Sequence, residues 1–326
     1  MAGVNTPHDS FFVKSLGDVN AMREFLELNL PNEIIKNIKV ETISKENTTF
    51  VDGNLKKLFS DLIFNVELES GNKGYVVFLF EHKSTVEKDT VFQIFKYLAR
   101  IWDEVISDKR LPVIIPVLFY HGKEKWTAPM KLSGLIEDDF DWAKKIIPDF
   151  EYFIYTLKDL REVYPNINVP KLKLYIKTLQ LSHSKTDEEF YDRLENLLIE
   201  LDKYCGKTGQ SVYFRVAMRY ILETSGKSET DEKIIELSKK FIPERKGDIM
   251  TVAEELRKEG EQRGIEKGER KVLIETVTTL LEKKFNLELP NNILKKIAIT
   301  DTEKLIKIRD NIFDIENLDE VRQILD

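Results

Sequence analysis

Asp61-Leu-Ile-Phe-Asn-Val-Glu-Leu-Glu-Ser-Gly-Asn-Lys-Gly-Tyr-Val-Val-Phe-Leu-Phe-Glu-His-Lys83 is two strands and a turn. Asp61–Leu68 alternates and is rich in β-formers, Glu69–Gly74 carries turn chemistry, and Tyr75–Phe80 is a continuous apolar run of a buried strand. A turn centred on Gly71 sets Asp61 directly opposite Glu81, with Cβ atoms ~4.5–5.5 Å apart. Glu81 and Lys83 are two apart and share a face, while His82 points the other way. One face of the hairpin then presents two carboxylates and an ammonium. A slip of one residue destroys the arrangement.

Outward from the hairpin the chain mixes helix and strand. Asp18 caps a helix whose Ala21, Phe25 and Leu28 recur at helical spacing until Pro31. An early strand is expected around 40–43 or 48–51. Beyond the hairpin, Asp89 or Thr90 caps a helix carrying Val91, Ile94, Phe95, Leu98 and Trp102. Pro112–Phe119 and Tyr152–Leu157 read as further strands. After Pro170 the pattern is helical to the end, with segments near 171–182, 187–204, 211–223, 231–241, 249–285, 291–298, 301–312 and 316–325. This predicts an α/β domain over 1–165 and a mainly α-helical region over 166–326. Within the latter, Gly260, Gly264 and Gly268 recur every four residues on a helix near 250–285. Each costs a helix interior roughly 0.8–1 kcal/mol against alanine. The stripe suits a self-association face, making a homo-oligomer through the C-terminal helices one expectation. It equally suits a solvated connector.

The chain has 326 residues, 42% hydrophobic and 33% charged, with a net charge of −7. This is a globular composition with a core to bury. It excludes a histone-like or arginine-rich nucleic-acid binder, but not an enzyme whose cleft alone is basic. The single cysteine, Cys205, excludes an intramolecular disulfide and a multi-cysteine zinc site. No apolar run approaches the ~20 residues that span a bilayer. The first residues lack the basic and apolar regions of a secretory signal. A soluble cytoplasmic protein is expected, with no membrane partner.

Two carboxylates at hairpin distance repel unless a cation lies between them. Mg²⁺ meets this need with one or two protein carboxylates, water and substrate phosphate. Asp61 and Glu81 are therefore the candidate metal ligands. Lys83 is placed to orient an attacking water or offset developing charge. This is a phosphodiesterase arrangement, although short acid-x-lysine patterns are also common at solvated strand ends. Gln93 and Tyr97 are i and i+4 on the next helix. Gln93 is in a position to reach a metal-bound water or a phosphate. Its other reading is a helix-surface residue, with Tyr97 in the core. Lys171, Lys173, Lys177 and Lys185 suit either a DNA backbone track or a solvated face.

The order Asp61, Glu81-x-Lys83, Gln93-x-x-x-Tyr97 resembles the PD-(D/E)XK nuclease signature, including the QxxxY helix of RecB-like members. More closely, several blocks resemble the Rpn family of recombination-promoting nucleases, also known as YhgA-like transposases. They are Pro7-His-Asp-Ser-Phe-Phe-Val-Lys14, Glu24-Phe-Leu-Glu-Leu-Asn-Leu-Pro31, Ser60–Phe64, Phe80-Glu-His-Lys-Ser84, Tyr97–Trp102 and Leu118-Phe-Tyr-His-Gly122 with Trp126. The resemblance covers roughly residues 7–160. It implies a restriction-endonuclease-like αβββαβ core and Mg²⁺-dependent DNA endonuclease activity linked to recombination, with Mn²⁺ as a substitute ion. It also implies Asp61 and Glu81 as metal ligands and Lys83 as the catalytic lysine. Many members carry Glu-His-Gln where this chain has Glu-His-Lys, so this chain is nearer the wider nuclease signature. The family often has a basic residue where Gln93 stands, which weakens the role of Gln93. Some related nucleases supply a further acid from the first helix, where Glu24 lies; a solvated glutamate is the plainer reading. His121 suits a phosphate contact or a loop role. The rival function is a catalytically degenerate nuclease fold that acts as a DNA- or protein-binding assembly module.

Overall fold

The computed structural model describes residues 7–46, 60–81, 86–106, 110–122, 124–136, 142, 146–225 and 228–325. It begins with helices α1 (Pro7–Leu16), α2 (Val19–Asn29) and the single turn α3 (Asn32–Ile35), then strands β1 (Ile38–Lys45), β2 (Ser60–Leu68) and β3 (Lys73–Glu81). Helix α4 (Thr90–Val105) leads to β4 (Val113–Tyr120) and, after a loop, to β5 (Phe153–Thr156). The strands form one sheet in the order β1-β2-β3-β4-β5. The pairs β1/β2 and β2/β3 are antiparallel, whereas β3/β4 and β4/β5 are parallel. Helix α4 is therefore the crossover that a parallel β3–β4 pair requires, and its N-terminus lies at the carboxyl end of β3. The early strand expected at 40–43 is β1; the other expectation, 48–51, lies outside the described residues.

Alternation along β3 divides the core. Tyr75, Val77 and Leu79 pack with Ile63, Leu118 and, from α4, Val91, Ile94, Tyr97, Leu98 and Ile101. Val76 and Phe78 take the opposite face, where Phe78 meets Phe12 of α1 at 5.7 Å and Phe25 of α2 at 4.8 Å between ring centroids. The sheet is thus covered on both sides, which explains why Tyr75–Phe80 is apolar throughout rather than alternating.

Helices α5 (Leu157–Val163), α6 (Pro170–Leu181), α7 (Asp187–Thr208), α8 (Ser211–Ser225), α9 (Ser228–Phe241) and α10 (Lys246–Phe285) follow. The chain ends in α11 (Asn291–Ile299), α12 (Thr302–Asp310) and α13 (Leu318–Leu325). Two compact units result, Met1–Ala253 and Glu254–Asp326. The shift from strand to helix near 165 marks a change of composition, not the division between these units. Phe11 on α1 lies 5.1 Å from Tyr175 of α6 and 4.9 Å from Tyr220 of α8, so these helices share the core of the first unit. The second unit has its own core, with Val277 and Leu281 packed on Ile293, Ile297, Leu305, Ile308 and Val321.

Gly260, Gly264 and Gly268 leave α10 unbroken. A Cβ at any of the three would meet nothing within 4 Å. Exposed ion pairs at i,i+4, Glu254–Lys258 and Glu259–Arg263, both at 3.0 Å, add local support to this stretch.

Candidate functional site

The hairpin register differs from the one expected. Asp61 pairs with Leu79 and Ser60 with Phe80, so Glu81 lies two positions beyond the partner of Asp61 rather than opposite it. The cause is the turn. Gly71 has φ +82° and is the last of three loop residues, Glu69-Ser70-Gly71, not their centre. Its N–H donates to the Leu68 carbonyl at 2.8 Å, and the Leu68 N–H to the Asn72 carbonyl at 2.8 Å. A three-residue loop ending in a left-handed residue is a standard hairpin closure. The displacement along β3 is two residues, an even number, so the strand faces do not invert. Positions 61 and 81 become diagonal neighbours, a separation of about 7–8 Å. Position 61 continues the column of Ile63 and position 81 the column of Leu79, the face that α4 covers.

Four elements therefore meet at one end of the sheet: the start of β2, the carboxyl ends of β3 and β4, and the start of α4. In the β3/β4 register Glu81 pairs with Tyr120. Tyr120 is buried and its ring packs against Trp126 at 4.9 Å. The Trp126 Nε1–H donates to the Tyr152 hydroxyl at 3.0 Å, which donates to the Pro129 carbonyl at 3.1 Å. A Cβ at Gly122 would fall 2.0 Å from the Tyr120 hydroxyl oxygen. The Leu118–Gly122 block with Trp126 thus closes the chain back over the end of β4, and position 122 has no room for a side chain.

At the start of α4, Gln93 is buried and its amide is occupied. Nε2 donates to Glu87 Oε2 at 3.0 Å and to Asp89 Oδ2 at 3.1 Å. Carboxylates only accept, so each amide N–H has its own acidic partner. Thr90 binds the same turn, its Oγ1–H donating to the Glu87 carbonyl at 2.6 Å. Asp89 is the N-cap of α4, yet its side chain makes no capping hydrogen bond to the helix backbone. An aspartate cap is ordinarily worth about 1 kcal/mol; here the carboxylate turns to Gln93 instead. Tyr97, one turn on, lies in the core. Asp89–Gln93 is an i,i+4 pair and so is visible in the sequence, although an aspartate at a helix start reads first as a cap. Glu87 precedes the helix and carries no periodic signal. Lys83 and His82 lie outside the described residues. Among the described residues, no three His, Cys, Asp or Glu side chains are grouped as a metal ion would need.

The remaining candidates are structural. Glu24 is not solvated: its carboxylate accepts the backbone N–H groups of Asn168 at 2.5 Å and Val169 at 2.8 Å, ahead of α6. His121 is buried, its Nε2 3.4 Å from both the Leu179 carbonyl and Ser182 Oγ. His8 packs its ring on Tyr220 at 5.0 Å, which gives the His8 block a role in docking α1. Three of the four lysines of 171–185 have partners within the chain, and Lys185 is exposed. Lys171 pairs with Asp18 at 3.3 Å, Lys177 with Glu200 at 2.5 Å, and Lys173 lies over the Tyr164 ring.

Burial governs the titrations elsewhere in this unit. It pushes the Tyr152 and Tyr155 phenols up to about 12 and the Cys205 thiol up to about 11.

Comparison with known proteins places this architecture among relatives. The chain is 28% identical to the inactive recombination-promoting nuclease-like protein RpnE of Escherichia coli K12, over 92% of this chain and 96% of the relative. It is 28% identical to the recombination-promoting nuclease RpnD of E. coli O157:H7, covering 77% and 94%. It is also 28% identical to the recombination-promoting nuclease RpnA of E. coli K12, covering 79% and 86%. No solved structure matches. The family model described as "Putative transposase, YhgA-like" matches residues 6–208, and this protein belongs to that family.

Proposed function

We propose that this protein is a Mg²⁺-dependent DNA endonuclease linked to recombination, built on a PD-(D/E)XK-like core. The observation that supports it best is the register. It sets Asp61 and Glu81 as diagonal neighbours at one sheet end, on the face whose helix begins there. The order of a helix, three antiparallel strands, a crossover helix and a parallel strand supports this reading, being the order expected of an αβββαβ core. Relatives carrying the name recombination-promoting nuclease add to the reading.

The donor set fits the ion. Asp61 and Glu81 bring hard oxygen ligands, and Mg²⁺ takes one or two carboxylates while keeping its waters. A bound Mg²⁺ would supply a Lewis acid and lower the pKa of its water. Asp61 and Glu81 would hold and orient that ion. Lys83 would align the attacking water and offset charge gathering on the phosphate oxygens. The start of α4 contributes a partial positive charge from its backbone N–H groups toward the phosphate.

The test is cleavage of supercoiled plasmid with Mg²⁺, with Mn²⁺ and with EDTA. Asp61→Ala and Glu81→Ala are each expected to abolish metal-dependent nicking while leaving the thermal midpoint intact. Full activity in either variant would sink the assignment.

A second reading is an assembly module on a degenerate nuclease fold, self-associating through the exposed Gly260/Gly264/Gly268 face. It is favoured by the open space around those glycines and by the relative named inactive. Wild-type protein that cleaves no DNA with either metal would put this reading first.

A further inference from the structure

By spacing, Gln93 reads either as a helix-surface residue or as one within reach of a metal-bound water or a phosphate. Its amide instead serves Glu87 and Asp89, two acids on the turn that carries the chain from β3 into α4. Three features set this apart from a surface helix contact. Gln93 is 6% exposed. Its two N–H groups go to two different carboxylates. Asp89 forgoes the helix backbone to take part. Thr90, 1% exposed, adds a bond from its hydroxyl to the Glu87 carbonyl, so backbone and side chains of this turn are both held.

The place of the turn matters. Val91 and Ile94 pack in one cluster with Ile63 and Leu79. Asp61 and Glu81 are the next positions outward in those two strand columns. The first turn of α4 therefore borders the end of the hairpin on which the proposed metal ligands sit.

We infer that Gln93 is a positioning residue of the proposed nuclease site: through Glu87 and Asp89 it fixes the first turn of α4 beside Asp61 and Glu81. It touches neither DNA nor metal. The inference rests on the nuclease reading of that site. An amide is required, because a carboxylate at 93 has no proton to give and a lysine would satisfy charge without the planar two-donor geometry.

The experiment uses the full chain. Wild type, Gln93→Ala, Gln93→Glu and the exchange Glu87→Gln/Gln93→Glu are compared by steady-state cleavage of plasmid and by thermal melting. The exchange swaps donor and acceptor across the Glu87–Gln93 contact and keeps the wild-type net charge. Gln93→Ala and Gln93→Glu are expected to lower kcat on the order of ten- to a hundredfold, as small misplacements of catalytic groups do. The KM for DNA should change less than about twofold in both, since uniform binding is untouched. The exchange should recover part of kcat, because it restores the contact with position 87 while Asp89 then faces a carboxylate.

A raised KM with kcat preserved would overturn the inference in favour of a direct contact with DNA. So would unchanged kinetics, or a kcat that the exchange fails to restore even in part while the melting midpoint returns to the wild-type value. Wild-type protein without cleavage would instead overturn the nuclease reading and this inference with it, and that arm is read independently of the variants.

Discussion

Glu24 and Gln93 present the same difficulty at the scale of the residue. Each is a polar side chain on an amphipathic helix, and each is buried against partners that local spacing does not reveal. Glu24 binds two backbone N–H groups more than 140 positions away in sequence. Glu24→Ala removes the charged acceptor from both donors, one on the exposed Asn168 and one on the half-buried Val169. It should cost on the order of 2–3 kcal/mol in urea unfolding, and Glu24→Gln distinctly less, because one acceptor oxygen remains. Cleavage per folded molecule should be unchanged in either variant. A loss of cleavage at full stability would return Glu24 to the metal site. Asp61 and Glu81 are legible as two acids at one end of the hairpin, because residue type and strand alternation suffice to put them on one face. The partners of Gln93 are half legible: the spacing of Asp89 and Gln93 puts them on one face, but only burial brings Glu87 in.

Elements are easier to read than residues. The amphipathic period and the Asp18, Pro31 and Pro170 signals mark α2 and α6 nearly to the residue. The hairpin strands are as expected in kind and extent, while their register is displaced because a glycine marks a turn without saying which loop position it fills. Helix α1 has no clear signal, since Phe11 and Phe12 are both fully buried and point toward different neighbours, blurring the period. The turn carries its own prediction. Gly71 has φ +82°, and a Cβ there would meet nothing within 4 Å, so the strain of a substitution is purely that of the backbone. Gly71→Ala should cost about 1–2 kcal/mol, the penalty of a left-handed alanine. Gly71→Asn should cost less, because asparagine tolerates that region. Thermal melts of the two variants check this, and an alanine variant as stable as wild type would refute the turn assignment.

At the scale of the whole molecule, the buried hydroxyls and thiol set an alkaline limit. Cys205, Tyr152 and Tyr155 have folded values near 11, 12 and 12, and burial also holds Tyr175, Tyr213 and Tyr220 above the ordinary phenol range. These groups lose their protons more readily in the unfolded chain. Their contribution to stability is complete below about pH 9, the ordinary thiol value, and is lost as the pH rises through about 11 and 12. The melting midpoint should therefore fall between pH 9 and pH 11 by more than it changes between pH 7 and pH 9; a flat profile would contradict the burial of these groups. The sequence by itself determined the α/β class and the element order, because those follow from periodicity and turn chemistry, and the family, because its motif blocks are contiguous in the chain. Tertiary structure alone decided the hairpin register, the division at Ala253 and the partners of Gln93 and Glu24. The division and the partners depend on which distant surfaces exclude water together, and the register on which loop position Gly71 fills; the local pattern records neither.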